Sequence, residues 1–99
     1  MAYEMLIALT VSDDATYASY RTQIAPFLAK YGAGFRYDFG ISKVFVTAGD
    51  RQINRAFVLS FPDRISKEGF WADPQLLAVK ADLFGRSVRT FTLISEYER

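Results

Sequence analysis

Cysteine and histidine are both absent from the 99 residues, and proline occurs only three times. Without cysteine there is no disulfide framework and no thiolate to hold zinc or attack a carbonyl. Without histidine the chain lacks the commonest general base and metal ligand, and the axial ligand of many haem proteins. An excess of one charge is missing too. Twelve Lys+Arg against eleven Asp+Glu leave +1, unlike the strongly basic face of a nucleic-acid-binding module, so no nucleic-acid partner is expected. Long apolar runs are lacking: Met5 to Leu9 is far too short to span a bilayer, and no membrane partner is expected. Met1-Ala2-Tyr3-Glu4 has no basic n-region, so no signal peptide is read and a cytoplasmic location is expected. What is present is apolar and aromatic: 51% hydrophobic and 16% Phe, Trp or Tyr. That excludes disorder, and the length allows one domain over residues 1–99.

Tyr3 to Val11 reads as a strand, stopped by Ser12-Asp13-Asp14, where Ser12 or Asp13 can cap a helix. Tyr17, Tyr20, Ile24, Phe27, Leu28 and Tyr31 then recur on one helical face, with Arg21, Thr22 and Lys30 off it. Gly32 suits the left-handed position after the helix, and Pro26 predicts a kink or break near residue 25. Phe35 to Val46 reads as a long strand or two pieces bent at Gly40, followed by a polar connection through Asn54. Ala56 to Phe61 is a third strand. A short helix follows from about Arg64 to Trp71, and Asp73-Pro74 starts another that Gly85 ends. Val88 to Tyr97 is the last strand. The order β-α-β-β-α-β predicts an α+β, ferredoxin-like fold: a four-stranded antiparallel sheet with helices on one face.

Strand alternation places Tyr3, Met5, Ile7 and Leu9 on one face and Leu6 and Ala8 on the other. It likewise separates Phe57, Leu59 and Phe61 from Ala56 and Val58, and Phe91, Leu93 and Tyr97 from Val88, Thr90, Thr92 and Ile94. Both faces are substantially apolar, yet the helices can cover only one. An uncovered apolar face predicts a homodimer, sheet against sheet through the helix-free face.

Asp38 is the leading candidate for chemistry. In Phe35-Arg36-Tyr37-Asp38-Phe39 it sits among aromatics, where partial burial would raise its pKa towards that of a general base. Arg36, two residues away and so on the same face by period two, is a candidate anion clamp or simply its ion-pair partner. Tyr20 is a candidate acid. Tyr17, Tyr37, Trp71 and Arg55 are candidate ligand contacts, the phenols able to anchor and protonate a small aromatic or acidic molecule. Each of these residue types also serves as ordinary packing or solvated surface. Gly32-Ala33-Gly34 follows a helix and precedes a strand, the reverse of a dinucleotide site. The carboxylates show no metal-ligand spacing, so neither metal nor cofactor is expected.

Tyr20 through Phe35, with Pro26 and Lys30-Tyr31-Gly32, together with Phe61-Pro62 and Trp71-Ala72-Asp73-Pro74, resembles a bacterial family of similar length and unknown function. Three departures stand out. Ala33 replaces a second glycine, Asp38-Phe39-Gly40 replaces an Arg-Gly-Gly step, and Leu76 replaces an aromatic. The resemblance implies the dimeric α+β-barrel superfamily, which includes cofactor-free monooxygenases of aromatic polyketides, muconolactone isomerases and haem enzymes. It implies a pocket between helices and sheet. Three functions follow as expectations: a cofactor-independent enzyme on a small aromatic or acidic metabolite, a non-catalytic binder of such a molecule, or a purely structural homodimer.

Overall fold

A computed structural model describes all the residues, Met1–Arg99. Strand β1 (Tyr3–Val11) is wholly or partly buried along its length, as a central strand must be. It pairs antiparallel with β3 (Arg55–Phe61) on one side and β4 (Val88–Glu98) on the other. β2 (Gly34–Gly40) pairs antiparallel with β3, giving the order β2-β3-β1-β4. This is the ferredoxin-like split βαβ arrangement.

Helix α1 (Asp14–Lys30) begins at Asp13, whose carboxylate accepts the Thr16 N–H at 3.1 Å. It buries Tyr17, Tyr20, Ile24 and Leu28. The helix runs through Pro26 without the expected break. It closes in a Schellman motif: Gly32, at φ 65°, donates to the Ala29 carbonyl at 3.2 Å, and Ala33 donates to that of Leu28 at 2.8 Å.

Helix α2 (Arg64–Ala72) is capped by Asp63, and α3 (Pro74–Val79) by Asp73. Gly85 does not end the second helical segment. The chain passes through a π-helical turn (Lys80–Phe84), in which the Gly85 N–H reaches the Lys80 carbonyl, into α4 (Gly85–Ser87). Gly85 keeps right-handed helical torsions. The stop is Ser87, whose buried hydroxyl donates to the Leu83 carbonyl at 2.8 Å and whose own carbonyl accepts the Ser12 N–H at 2.8 Å.

The second strand ends at Gly40 rather than continuing to Val46. Residues 41–54 are irregular, and Phe45 and Val46 point into solvent. Asn54 ties this segment back: its side-chain amide exchanges two 2.8 Å bonds with the Val11 backbone.

The sheet's two faces differ from strict alternation in three places. Register shifts in β4 put Val88 opposite Val11 on the helix side and Tyr97 opposite Glu4 on the other. A shift in β2 between Phe35 and Tyr37 reverses the strand's faces, so Asp38 lies opposite Phe57 while Tyr37 lies opposite Val58. The helix side holds the core, with Ile7, Leu9, Phe61, Phe70 and Leu76 almost fully enclosed. The helix-free side is mixed rather than uniformly apolar. Leu6, Val58, Tyr37 and Phe39 share it with Glu4, Thr10, Ser60 and Thr92. Arg51, from the irregular segment, donates to the Thr92 hydroxyl there. No helix is long and apolar enough to cross a membrane.

Candidate functional site

Between the sheet and helices α1 and α2 lies a space walled by Tyr17, Tyr20, Phe35, Phe57, Phe70 and Trp71. The free volume among them is about 20 Å³, room for about one water molecule. The rings meet edge to face: Phe35–Phe57 at 5.2 Å, Phe61–Phe70 at 5.5 Å and Phe70–Trp71 at 5.1 Å between centroids. A ligand between helices and sheet therefore requires these rings to move.

One end of the space is closed by charge. Arg21, off the apolar stripe by periodicity, turns inward and lays its guanidinium 3.7 Å from the Phe35 ring centroid. Its Nε donates to the Tyr17 hydroxyl at 2.9 Å. Its Nη2 lies 3.1 Å from Asp38 Oδ2, an ion pair by distance without hydrogen-bond geometry. Arg55 grips both Asp38 oxygens, at 2.8 and 2.9 Å, and lies over the Tyr17 ring. The hydrogen bonds from Arg55, with the charge of Arg21, outweigh burial and hold the Asp38 carboxyl below the usual aspartate range. The expected raised pKa is thus reversed, because the burial comes with two cations.

The structure also separates Arg36 from Asp38. The β2 bulge sends Arg36 to the helix-free side, where its Nε is 2.8 Å from Glu4 Oε2 and its guanidinium covers the Tyr37 ring. Period-two counting fails here because the bulge inserts one residue. The sequence candidates therefore fall into two groups. Asp38, Arg55, Tyr17, Tyr20 and Trp71 are on the helix side, while Arg36 and Tyr37 are behind the sheet. Tyr20 packs against Tyr17 and Phe84 at 6.0 and 5.2 Å, and burial pushes its hydroxyl up to about 12. It keeps its proton at neutral pH.

Trp71, the single tryptophan, connects this interior to the surface. Its Nε1 donates to Met5 Sδ at 3.1 Å, and its ring meets Phe91 edge-on at 6.4 Å. Beyond these two rings runs an open groove of about 480 Å³, bounded also by Met5, Lys67, Lys80 and Leu93. Trp71 and Phe91 face both spaces and form the partition between them.

Three functional candidates escape sequence reading as sites. Arg21 carries no pattern that predicts its inward turn. Glu4 and Lys80 do carry one, each being a lone charge within an apolar series. Glu4 is fully buried on the helix-free side between Arg36 and Arg99, the latter at 3.0 Å. Burial pushes its carboxyl up, but the Ser60 and Tyr97 hydroxyls and both arginines pull harder and leave it below the usual range. No three acidic side chains converge as a metal site would require.

Solved structures share this architecture at low sequence identity. A protein of unknown function from Rhodopseudomonas palustris superposes with a TM-score of 0.82 at 14% identity, over 99% of this chain and 82% of the other. A dimeric protein of unknown function and ferredoxin-like fold from Bacteroides fragilis gives 0.64 at 14% identity, over 99% and 96%. SnoaB, a cofactor-independent oxygenase from Streptomyces nogalater, gives 0.63 at 16% identity, over 99% and 95%. No curated protein matches the chain in sequence. These likenesses establish the fold. The family described as domain of unknown function (DUF1330) matches residues 2–97, nearly the whole length, and the chain belongs to that family.

Proposed function

We propose that the protein binds a small, flat, largely apolar molecule at the Trp71–Phe91 partition, in each subunit of a homodimer. One observation carries this reading: an open apolar groove and a nearly closed, aromatic-walled interior share two rings as their common wall. A ligand can enter the groove and gain further burial as Trp71 and Phe91 swing inward or aside. Apolar walls with few convergent polar groups are what such a site needs.

Binding without acid–base catalysis by Asp38 fits the chemistry better than catalysis through it. Asp38 already accepts a two-pronged bond from Arg55 and faces Arg21, so it is ionised, paired and a weak base. Arg36 sits behind the sheet and cannot clamp an anion beside it. A second reading, cofactor-independent oxygenation of a small aromatic substrate, is favoured by the likeness to SnoaB. On that reading Tyr20 and Tyr17 face the reacting ring and Asp38 serves only to position Arg21. Fold alone does not decide between binding and turnover.

The single tryptophan supplies the experiment. In ¹⁵N-labelled protein the Trp71 indole N–H gives one cross-peak, and flat aromatic compounds should shift it saturably. A peak unmoved by such compounds at millimolar concentration refutes the reading. Oxygen consumption in the same mixtures separates binding from turnover.

A further inference from the structure

Within the groove the charges pair off, with one exception. Lys67 lies 3.0 Å from Glu96, which also accepts the Tyr3 hydroxyl. Glu68 is held by Arg64 at 3.3 Å. Lys80 makes no ion pair and donates no hydrogen bond, although it is partly buried. Its ammonium instead faces three rings: 4.9 Å from the Trp71 centroid, 5.3 Å from Phe84 and 5.8 Å from Phe91. Burial alone acts on its titration, pulling the amine below the ordinary lysine range with no carboxylate to oppose it.

A second, independent feature marks the same residue. Lys80 opens the π-helical turn, the one place where this helix departs from α geometry. Such turns are rare, and they cluster at functional sites because the extra residue re-aims side chains. Here the turn places Lys80 and Phe84 together against Phe91. A cation at this position in the apolar series Leu76, Leu77, Val79, Leu83 and Phe84 costs desolvation that the three rings offset only in part and no counter-ion within the chain completes.

We propose that Lys80 selects the ligand's charge: the groove takes a flat aromatic carboxylate, its ring against Trp71 and Phe91 and its carboxylate on the Lys80 ammonium. The proposal rests on the groove reading above and adds the substrate class. A carboxylate gives Lys80 the counter-ion it lacks, while the ring replaces water on the apolar wall. The exchange also satisfies an amine that sits idle in the free protein.

The test compares 2-naphthoate with its neutral isostere 2-naphthamide, each titrated against the full chain and read at the Trp71 indole peak. Naphthoate should bind about tenfold more tightly or better, the worth of one hydrogen bond to a charged group. Lys80→Gln should abolish that preference, and Lys80→Arg should retain it. Lys43→Gln, which removes a lysine on the irregular segment outside the groove, should leave it in place. Equal affinity of acid and amide for the wild type overturns the proposal while leaving the groove reading intact, and needs no variant to fold. A preference that survives Lys80→Gln overturns it as well. If neither compound moves the indole peak, the groove reading falls and the charge selection with it.

Discussion

Asp73 closes one helix and opens the next. Its backbone ends α2, and its carboxylate accepts the Gln75 N–H at 2.9 Å at the start of α3. The same carboxylate takes the Tyr31 hydroxyl at 2.8 Å and Lys30 Nζ at 3.0 Å, tying the end of α1 to the α2–α3 corner. Those two bonds, Tyr31 first, overcome desolvation and lower its pKa to about 2. In the unfolded chain an aspartate titrates near pH ~4. The folded state therefore binds this proton less readily, and Asp73 stabilises fully above pH ~4. The contribution is lost as pH falls from ~4 towards about 2. Asp73→Asn should lower the thermal midpoint at pH 7 and flatten the loss of stability across that window, checked by thermal melts from pH 2 to 7. An unchanged acid limb would show that other carboxylates govern it. The sequence identifies Asp73 as a cap through the Asp-Pro step, but its link to Tyr31 depends on a tertiary contact more than forty residues away that no local pattern encodes. Asp38 illustrates the opposite case. Its aromatic neighbours are legible, but the arginines that decide its charge arrive from α1 and β3.

At the scale of elements, what sequence reading captured was whatever short-range chemistry enforces. The caps at Asp13 and Asp73, the apolar stripe of α1 and the succession of strands and helices along the chain follow from local pattern. Gly32 is the clearest instance. Its φ of 65° is left-handed, and a Cβ built there would lie 2.9 Å from Pro62 Cγ. Gly32→Ala therefore meets a torsional cost of about 1 kcal/mol or more as well as a collision with the turn after β3. The expected result is a melting temperature lower by roughly 5–10 °C, read by circular dichroism, with the Trp71 indole environment unchanged. A neutral outcome would mean that the α1 terminus tolerates a different cap. The misses share another cause. Bulges in β2 and β4 and the π-turn after α3 each shift phase by a single residue, and periodicity arguments assume constant phase. Arg36, Tyr97, Val88 and Lys80 all owe their placement to such shifts. The continuity of α1 through Pro26 and the helix running past Gly85 show breaker residues overridden by the packing of their neighbours.

For the whole molecule, the question is what covers the back of the sheet. Most of the polar groups there are satisfied within the chain: Glu4 Oε2 by Arg36 and Arg99, Thr10 by Thr90 at 2.5 Å and Thr92 by Arg51, with the buried Glu4 Oε1 left without a partner. The apolar groups are not. Tyr37 and Phe39 stack at 5.9 Å and remain 46% and 53% exposed. A mostly satisfied polar centre beside unsatisfied rings suits a surface that meets another sheet, because covering it adds few newly unpaired polar groups. A second copy is the simplest occupant, because one patch meeting its own symmetry mate closes the assembly. We expect light scattering at low micromolar concentration to give twice the 11.2 kDa chain mass. The double variant Tyr37→Glu/Phe39→Glu should give the single-chain mass, since two carboxylates facing their symmetry mates repel and lose hydration. A wild type of 11.2 kDa would remove the homodimer, whereas a variant that stays dimeric would move the interface to another surface. The groove bordered by Trp71 and Phe91 lies on the opposite side of the sheet. If the double variant remains folded, its Trp71 peak should therefore respond to 2-naphthoate as before. Loss of that response together with dimerisation would instead show that assembly on one face shapes the binding site on the other.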